Sequence, residues 1–308
     1  MSKVLVKEER LNEILEYCNE HGETNTCEYF GINSESLHRY QRQKRFNETR
    51  QAKILIFDIE TSTIRGRFWR TGKQYVSHNQ IIDDWFVLGY SAKWLFSTET
   101  MSDFVTAKEA VQRDDKRIMQ SLYKLINEAD ILIGHNASKF DIPMVKTRFF
   151  LHGFKPPLPF LIIDTLKIAW KEFSFSSAKL DYLSKMILRK EKLHTDYDLW
   201  IRCENGDQEA LDYMEEYCIM DTELEENVYV EMRPWVHSHP NLPLIMDAKE
   251  PACPTCGSFE LKEESDYYYT PQNKYIAMRC LSCGAVSHKK KSEVSTDQRK
   301  TLLIPGAR

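Results

Sequence analysis

A chain of 308 residues, 42% apolar and 12% aromatic, can bury a substantial core and is long enough for two or three domains. No apolar run approaches the roughly 20 residues of a membrane span, and Met1 to Arg10 lack a signal-peptide core, so a soluble cytoplasmic protein with no membrane partner is expected. The net charge of −4 is unusual for a nucleic-acid binder and directs the search for phosphate contacts to local clusters of Lys and Arg near both ends of the chain.

Leu11, Ile14, Leu15 and Cys18 mark one face of a first helix, which Gly22 ends. A short second helix is predicted over 24–30, Gly31-Ile32-Asn33 forms a turn, and Asn33 or Ser34 caps a third helix. Leu37 and Tyr40 face inward on it, and His38, Arg39, Arg42, Gln43 and Lys44 face outward. This order is a helix-turn-helix arrangement and resembles small modules of phage and transposon proteins. Arg39, Arg42 and Lys44 are then candidate nucleic-acid contacts; the competing reading is a helical cap with a solvated basic face. Residues 42–52 read as a polar linker.

The run Ile54 to Glu60 reads as a buried strand ending in two carboxylates. Alternation puts Asp58 and Glu60 on one face, where two like charges fit either a divalent cation or the end of an ordinary surface strand, for which Asp-x-Glu is common. Strands are expected near 68–78 and 85–96, one helix over 107–128, and a strand over 130–134 that runs into the turn Gly134-His135-Asn136. Asp141 opens a helix through Val145 and Phe149, where a carboxylate also suits the helix dipole. Further helices follow Thr165, with Asp164 as its cap, and Lys179, with Asp181 solvated. A long helix from about 208 to 232 carries Tyr217 and Asp221 one turn apart on a face that is otherwise apolar. Such mixed sheets place ligands at strand carboxyl ends, where Asp58 and Glu60 lie.

Asp58-x-Glu60, then Asn136-x-x-x-Phe140-Asp141, then Tyr217-x-x-x-Asp221 resemble, in that order, the tyrosine subclass of the DEDD superfamily of 3′→5′ exonucleases. Gly134 through Pro143 is similar to the proofreading domain of family B DNA polymerases, and more so to related bacteriophage ribonuclease H-like exonucleases. The stretches Asp84 to Trp94, Asp164 to Leu166, Lys179 to Leu183, Asp198 to Trp200 and His239 to Leu242 fit the same resemblance, which covers about 51–245. It implies two Mg²⁺ or Mn²⁺ ions: Asp58 bridging both, Glu60 and Asp221 completing the first shell, and Asp141 holding the second ion through water. Tyr217 would position the hydrolytic water. Asn136 and Phe140 would shape the path of the substrate end, or else fix a turn and fill the core.

Cys253-x2-Cys256 and Cys280-x2-Cys283, separated by 23 residues, are a tetrahedral-zinc pattern, with Gly257 and Gly284 in tight turns behind each second cysteine. The segment between them suits a hairpin with Tyr267–Tyr269 and Tyr275–Met278 as strands. One structural zinc would supply the folding energy that so small a tail lacks. The tail is either a structural knob or a nucleic-acid surface, with the tyrosines stacking and Lys289, Lys290 and Lys291 on phosphates. Cys18, Cys27, Cys203 and Cys218 read as reduced thiols.

The expectation is thus an α/β protein: a helix-turn-helix module at 1–45, a ribonuclease H-like mixed sheet flanked by helices at 46–245, and a β zinc ribbon with a basic tail at 246–308. Its expected activity is metal-dependent 3′→5′ exonuclease action on DNA in preference to RNA, with replication proteins as partners and a phage source. The alternatives are a sequence-specific DNA-binding protein with the middle domain as scaffold, and an exoribonuclease.

Overall fold

The computed structural model describes residues 8–48, 50–190, 193–303 and 306. The chain divides into two compact units, residues 53–232 and residues 1–52 together with 233–308.

In the second of these, α1 (Glu8–His21), α2 (Glu23–Phe30) and α3 (Ser34–Glu48) close over Leu11, Ile14, Leu15, Cys18 and Leu37. Asn33 Oδ1 accepts from the Ser36 amide at 2.8 Å, so Asn33 caps α3. The expected linker at 42–52 is corrected: α3 continues to Glu48, because its Arg, Gln, Lys and Glu content favours helix as well as solvent. The Arg42 side chain lies outside the described residues.

The larger unit is built on a five-stranded mixed sheet. Its strands are β1 (Ile54–Thr61), β4 (Val87–Trp94), β5 (Met101–Phe104), β6 (Ile131–Gly134) and β7 (Leu161–Asp164), ordered β5-β4-β1-β6-β7. β1 pairs antiparallel with β4 and parallel with β6. The strip β2 (Arg65–Gly66) and β3 (Ile81–Asp83) stands apart as a two-stranded ribbon. It overturns the strand expected at 68–78, where cations, exposed rings and Gly72 supply no buried face. Around the sheet lie α4 (Ala107–Gln112), α5 (Lys116–Glu128), α6 (Asp141–Leu151), α7 (Thr165–Glu172), α8 (Leu180–Leu183) with a π turn over 184–188, α9 (Tyr197–Glu204) and α10 (Gln208–Met232). Leu55, Phe57, Leu88, Met119, Leu122, Ile126 and Leu132 form the centre of its core.

The single helix expected at 107–128 is two. Thr106 and Glu109 form a capping box at the start of α4, and Arg113 turns left-handed to end it. Asp115 is then fully buried, where it takes the Val87 amide at 2.8 Å and pairs with Arg148 and His152. Removing one partner of a buried pair strands the other charges. Asp115→Ala is therefore expected to destabilise this unit by about 3 kcal/mol or more, read as a lower urea midpoint.

The C-terminal part begins with α11 (Leu242–Met246) and holds a second sheet, β8 (Leu261–Thr270), β9 (Asn273–Cys280) and β10 (Val286–Ser292), antiparallel in the order β10-β9-β8, followed by α12 (Thr296–Thr301). The expected hairpin is present, and β10 adds a third strand that the lysine run at 289–291 hides from a hydrophobic pattern.

Candidate active site and cysteine cluster

β1 reaches the site as a strand buried through Phe57, after which Asp58 and Glu60 are half-buried. Asp58 pairs with Ser91 and Glu60 with Gly89, and a register shift follows Glu60. α10 crosses above this point: Ser91 Oγ donates to the Cys218 carbonyl at 2.7 Å and also meets Thr222. That contact sets the rotation of α10, so Asp221 comes down onto Asp58 and Glu60. One carboxylate oxygen from each of the three lies within 4.8 Å of the others.

Asp141 stands beside this triad rather than within it. It is buried at the start of α6, and its Oδ1 accepts from the Ile59 amide at 3.4 Å, the residue between the two strand carboxylates. The turn before it is fixed by Asp164, which caps α7 through the Lys167 amide and also accepts from the Asn136 amide, the Ser138 amide and the Ser138 hydroxyl. Asn136 is left-handed at φ 69°. A Cβ on Gly134 would meet the Ala137 Cβ at 2.5 Å and the Phe57 carbonyl at 3.3 Å, so only glycine lets this turn lie against β1.

These carboxyls strain against one another. Burial first, then Asp141, Glu60, Asp221 and Glu225, holds the Asp58 carboxyl well above the usual range. Burial pushes Asp141 up to about 7. A bound divalent cation would relieve this arrangement, and the all-oxygen donor set suits a hard ion.

Tyr217 lies half-buried one turn before Asp221 and packs on the core. Phe140 is 40% exposed, which corrects the core-filling alternative: the turn from Asn136 aims it outward. The sequence reading missed Glu225. The α10 face taken as apolar around Asp221 also buries Thr222, Glu225 and Glu226. Thr165 Oγ1 donates to Glu225 at 3.0 Å and meets His135 Nδ1 at 2.9 Å. The four-residue step from Asp221 to Glu225 was the available signal. Cys218 is buried as expected, with its Sγ 3.7 Å from Asp58 Oδ2.

In the smaller unit the four thiols of Cys253, Cys256, Cys280 and Cys283 meet within 4.8 Å. Gly257 and Gly284 turn left-handed behind the two knuckles at φ 74° and 85°. Tyr267, Tyr268 and Tyr269 are exposed, and Tyr268 stacks on His288 with centroids 4.5 Å apart. Lys289 is exposed but paired with Glu263, and Lys290 is exposed. Arg39 is exposed on α3, and Lys44 is half-buried. Among the described residues no helix is long and apolar enough to cross a membrane.

Comparison with known proteins agrees with this fold. Residues 55–233 match the family described as RNase_H superfamily. The chain is 31% identical over 157 residues to the PolC-type DNA polymerase III of Mycoplasma genitalium, a match covering 48% of this chain and 11% of that protein. The chain thus spans only about a tenth of that relative's length. Among solved structures, the family B DNA polymerase of the archaeon Pyrobaculum calidifontis aligns at a TM-score of 0.46 and 15% identity, covering 74% of this chain and 32% of that one.

Proposed function

The chain belongs to the RNase H superfamily, and from that premise we propose that it is a metal-dependent exonuclease that hydrolyses DNA from the 3′ end, with unpaired ends preferred. The observation that carries the proposal is the meeting of Asp58, Glu60 and Asp221 within 4.8 Å, with Asp141 tied to the same strand. When bound, a pair of Mg²⁺ or Mn²⁺ ions supplies charge stabilisation for the attacking and leaving oxygens of an in-line displacement.

The side chains divide the remaining work. Asp58, on which the other acids converge, would hold both cations. Glu60 and Asp221 would hold one of them with it, and Asp141 would hold the other. Tyr217 orients the hydrolytic water from the neighbouring turn of α10. Asn136 and the exposed Phe140 flank the path of the strand end. The four thiols hold one structural zinc. Arg39, Arg42 and Lys44 of α3, with Lys289 and Lys290 of β10, contact the nucleic-acid backbone. The division at 1–45, 46–245 and 246–308 belongs to the same reading, as does a role in phage DNA replication, repair or degradation beside replication proteins in the host cytoplasm. The polymerase named among the relatives acts on DNA, which favours DNA over RNA.

The test uses 5′-labelled unpaired DNA, duplex and RNA oligonucleotides with Mg²⁺ or Mn²⁺. A ladder that shortens from the 3′ end, absent in EDTA, is the expected result. Immediate release of a labelled mononucleotide reverses the polarity, and RNA cleaved faster than DNA makes the chain an exoribonuclease. In the same assay Tyr217→Phe is expected to slow cleavage by about a hundredfold, the low end of what a positioned proton-transfer group contributes, since Tyr217 orients the water rather than carrying the charge.

A further inference from the structure

Between Thr61 and Ile82 the chain carries four cationic side chains, Arg65, Arg67, Arg70 and Lys73, and no Asp or Glu, although its net charge is −4. Phe68, Trp69 and Tyr75 are interleaved with them. Trp69 is 98% exposed, Tyr75 91% and Phe68 51%. Rings of this size ordinarily find cover in a core or an interface.

The root of this segment is fixed while its rings stand in solvent. β2 and β3 pair there, the Arg67 amide donates to the Gln80 carbonyl at 2.9 Å, and Gln80 Nε2 returns to the Arg67 carbonyl at 3.1 Å. A Cβ on Gly66 would stand 2.9 Å from the Gln80 oxygen, so glycine permits this approach. Arg65 pairs with Asp83 at 2.6 Å. Nearer the carboxylates, Glu204 accepts from the Thr63 amide at 2.6 Å and its hydroxyl at 2.7 Å, and Arg113 reaches Ser62 Oγ and the carbonyls of Thr63 and Asp84. Among the described residues no ion pair engages Arg67, Arg70 or Lys73.

We propose that the loop at residues 67–76 grips an unpaired nucleic-acid strand on its way to the carboxylate site, with Trp69 and Tyr75 stacking on bases and Arg67, Arg70 and Lys73 against phosphates. The inference rests on the nuclease reading and adds how the substrate is held. Rings supply a base platform that tolerates any sequence, and uncompensated cations supply the backbone contact. An acidic site repels the polyanion it must cleave, so attraction has to come from cations outside the carboxylate cluster. Trp69 follows Glu60 by nine residues, at most about 32 Å of extended chain, or roughly nine stacked nucleotides at about 3.4 Å each. The loop therefore holds the strand no more than about nine nucleotides behind the bond that breaks.

The experiment measures binding of a fluorescein-labelled oligothymidylate of about 15 nucleotides by anisotropy, in an Asp58→Asn background that leaves the probe intact. Trp69→Ala combined with Tyr75→Ala is expected to weaken binding by about tenfold to a hundredfold. The triple change Arg67→Gln, Arg70→Gln, Lys73→Gln is expected to flatten the slope of log affinity against log salt by about 2, at about 0.7 per phosphate contact. Both losses should shrink as the probe is cut to three or four nucleotides, with melting temperatures unchanged. Parental affinity and salt slope in these variants, while the unmodified chain still cleaves, overturn the loop assignment alone. A parental dimer that Trp69→Ala converts to a monomer also overturns it, since the rings then cover a second copy. No cleavage by the unmodified chain with any divalent metal removes the nuclease reading instead.

Discussion

Asp58→Ala is expected to lower the cleavage rate about a thousandfold or more while leaving the fold intact. Asp58 lies on the strand buried through Phe57 and has four other carboxyls around it, those of Asp141, Glu60, Asp221 and Glu225. If it bridges the cations, its loss removes a ligand from both, and several kcal/mol of charge stabilisation go with it, at about 1.4 kcal/mol per tenfold in rate. Cleavage of an unpaired oligonucleotide in saturating Mg²⁺ reads the effect; a rate within tenfold of the parental chain refutes the assignment. The same substitution separates function from stability. Without cations the acids repel one another, so Asp58→Asn should raise the metal-free melting temperature, by about 2–4 °C for a gain of about 1 kcal/mol in a unit of this size. The pH dependence has a definite sign. Below about pH 4 these carboxyls are protonated in both the folded and the unfolded chain. Between about pH 4, where the unfolded carboxyls ionise, and about 7, where Asp141 ionises in the fold, the unfolded chain binds fewer protons than the metal-free fold, so stability falls across that window and levels off above it. Added Mg²⁺ should therefore raise the melting temperature more at pH 8 than at pH 5.

Much of this site was legible because its parts are local. A strand that ends in Asp-x-Glu, a Gly-His-Asn turn and a Tyr–Asp pair one helical turn apart each have their own spacing signature, and α10 begins and ends where periodicity puts it. What was not legible depends on neighbours distant in sequence. The break between α4 and α5 follows from the buried pairing of Asp115 with Arg148 and His152, over 30 residues away. Glu225 reads as one more charge in an acidic helix until Thr165 arrives from α7 to bond it. β5, β7 and α9 are short, and their burial is only partial, so no periodic signal marks them. The loop at 67–76 was misread because aromatic residues raise strand propensity, whereas here the rings are exposed and the sheet continues elsewhere.

The second large effect is expected at the cysteines. Cys280→Ser should unfold the β8–β10 sheet and leave the larger unit folded. The small core there consists of Cys253, Cys280 and Ala285, with Cys256, Leu261 and Cys283 around it, far too little apolar surface to fold alone. The thiols supply what is missing only if something joins them. Cys253 and Cys283 sulfurs are 3.7 Å apart and those of Cys256 and Cys280 3.6 Å. Disulfides require about 2.0 Å, whereas four Zn–S bonds of about 2.3 Å in a tetrahedron put sulfurs about 3.8 Å apart. A zinc there contributes on the order of 10 kcal/mol, more than a sheet this size can lose. In Cys280→Ser, zinc content should fall from one per chain toward none, and limited proteolysis should cut between 253 and 292 while 53–232 stays protected. Cys27→Ser, outside the cluster, should keep its zinc. The two candidate metal sites are separable by chemistry, thiolates being soft and the carboxylates hard. After EDTA treatment, Mg²⁺ alone should restore cleavage of a short substrate while the sheet stays open to protease. A chelated chain whose β8–β10 amides remain protected from exchange would mean that the thiols bind no metal.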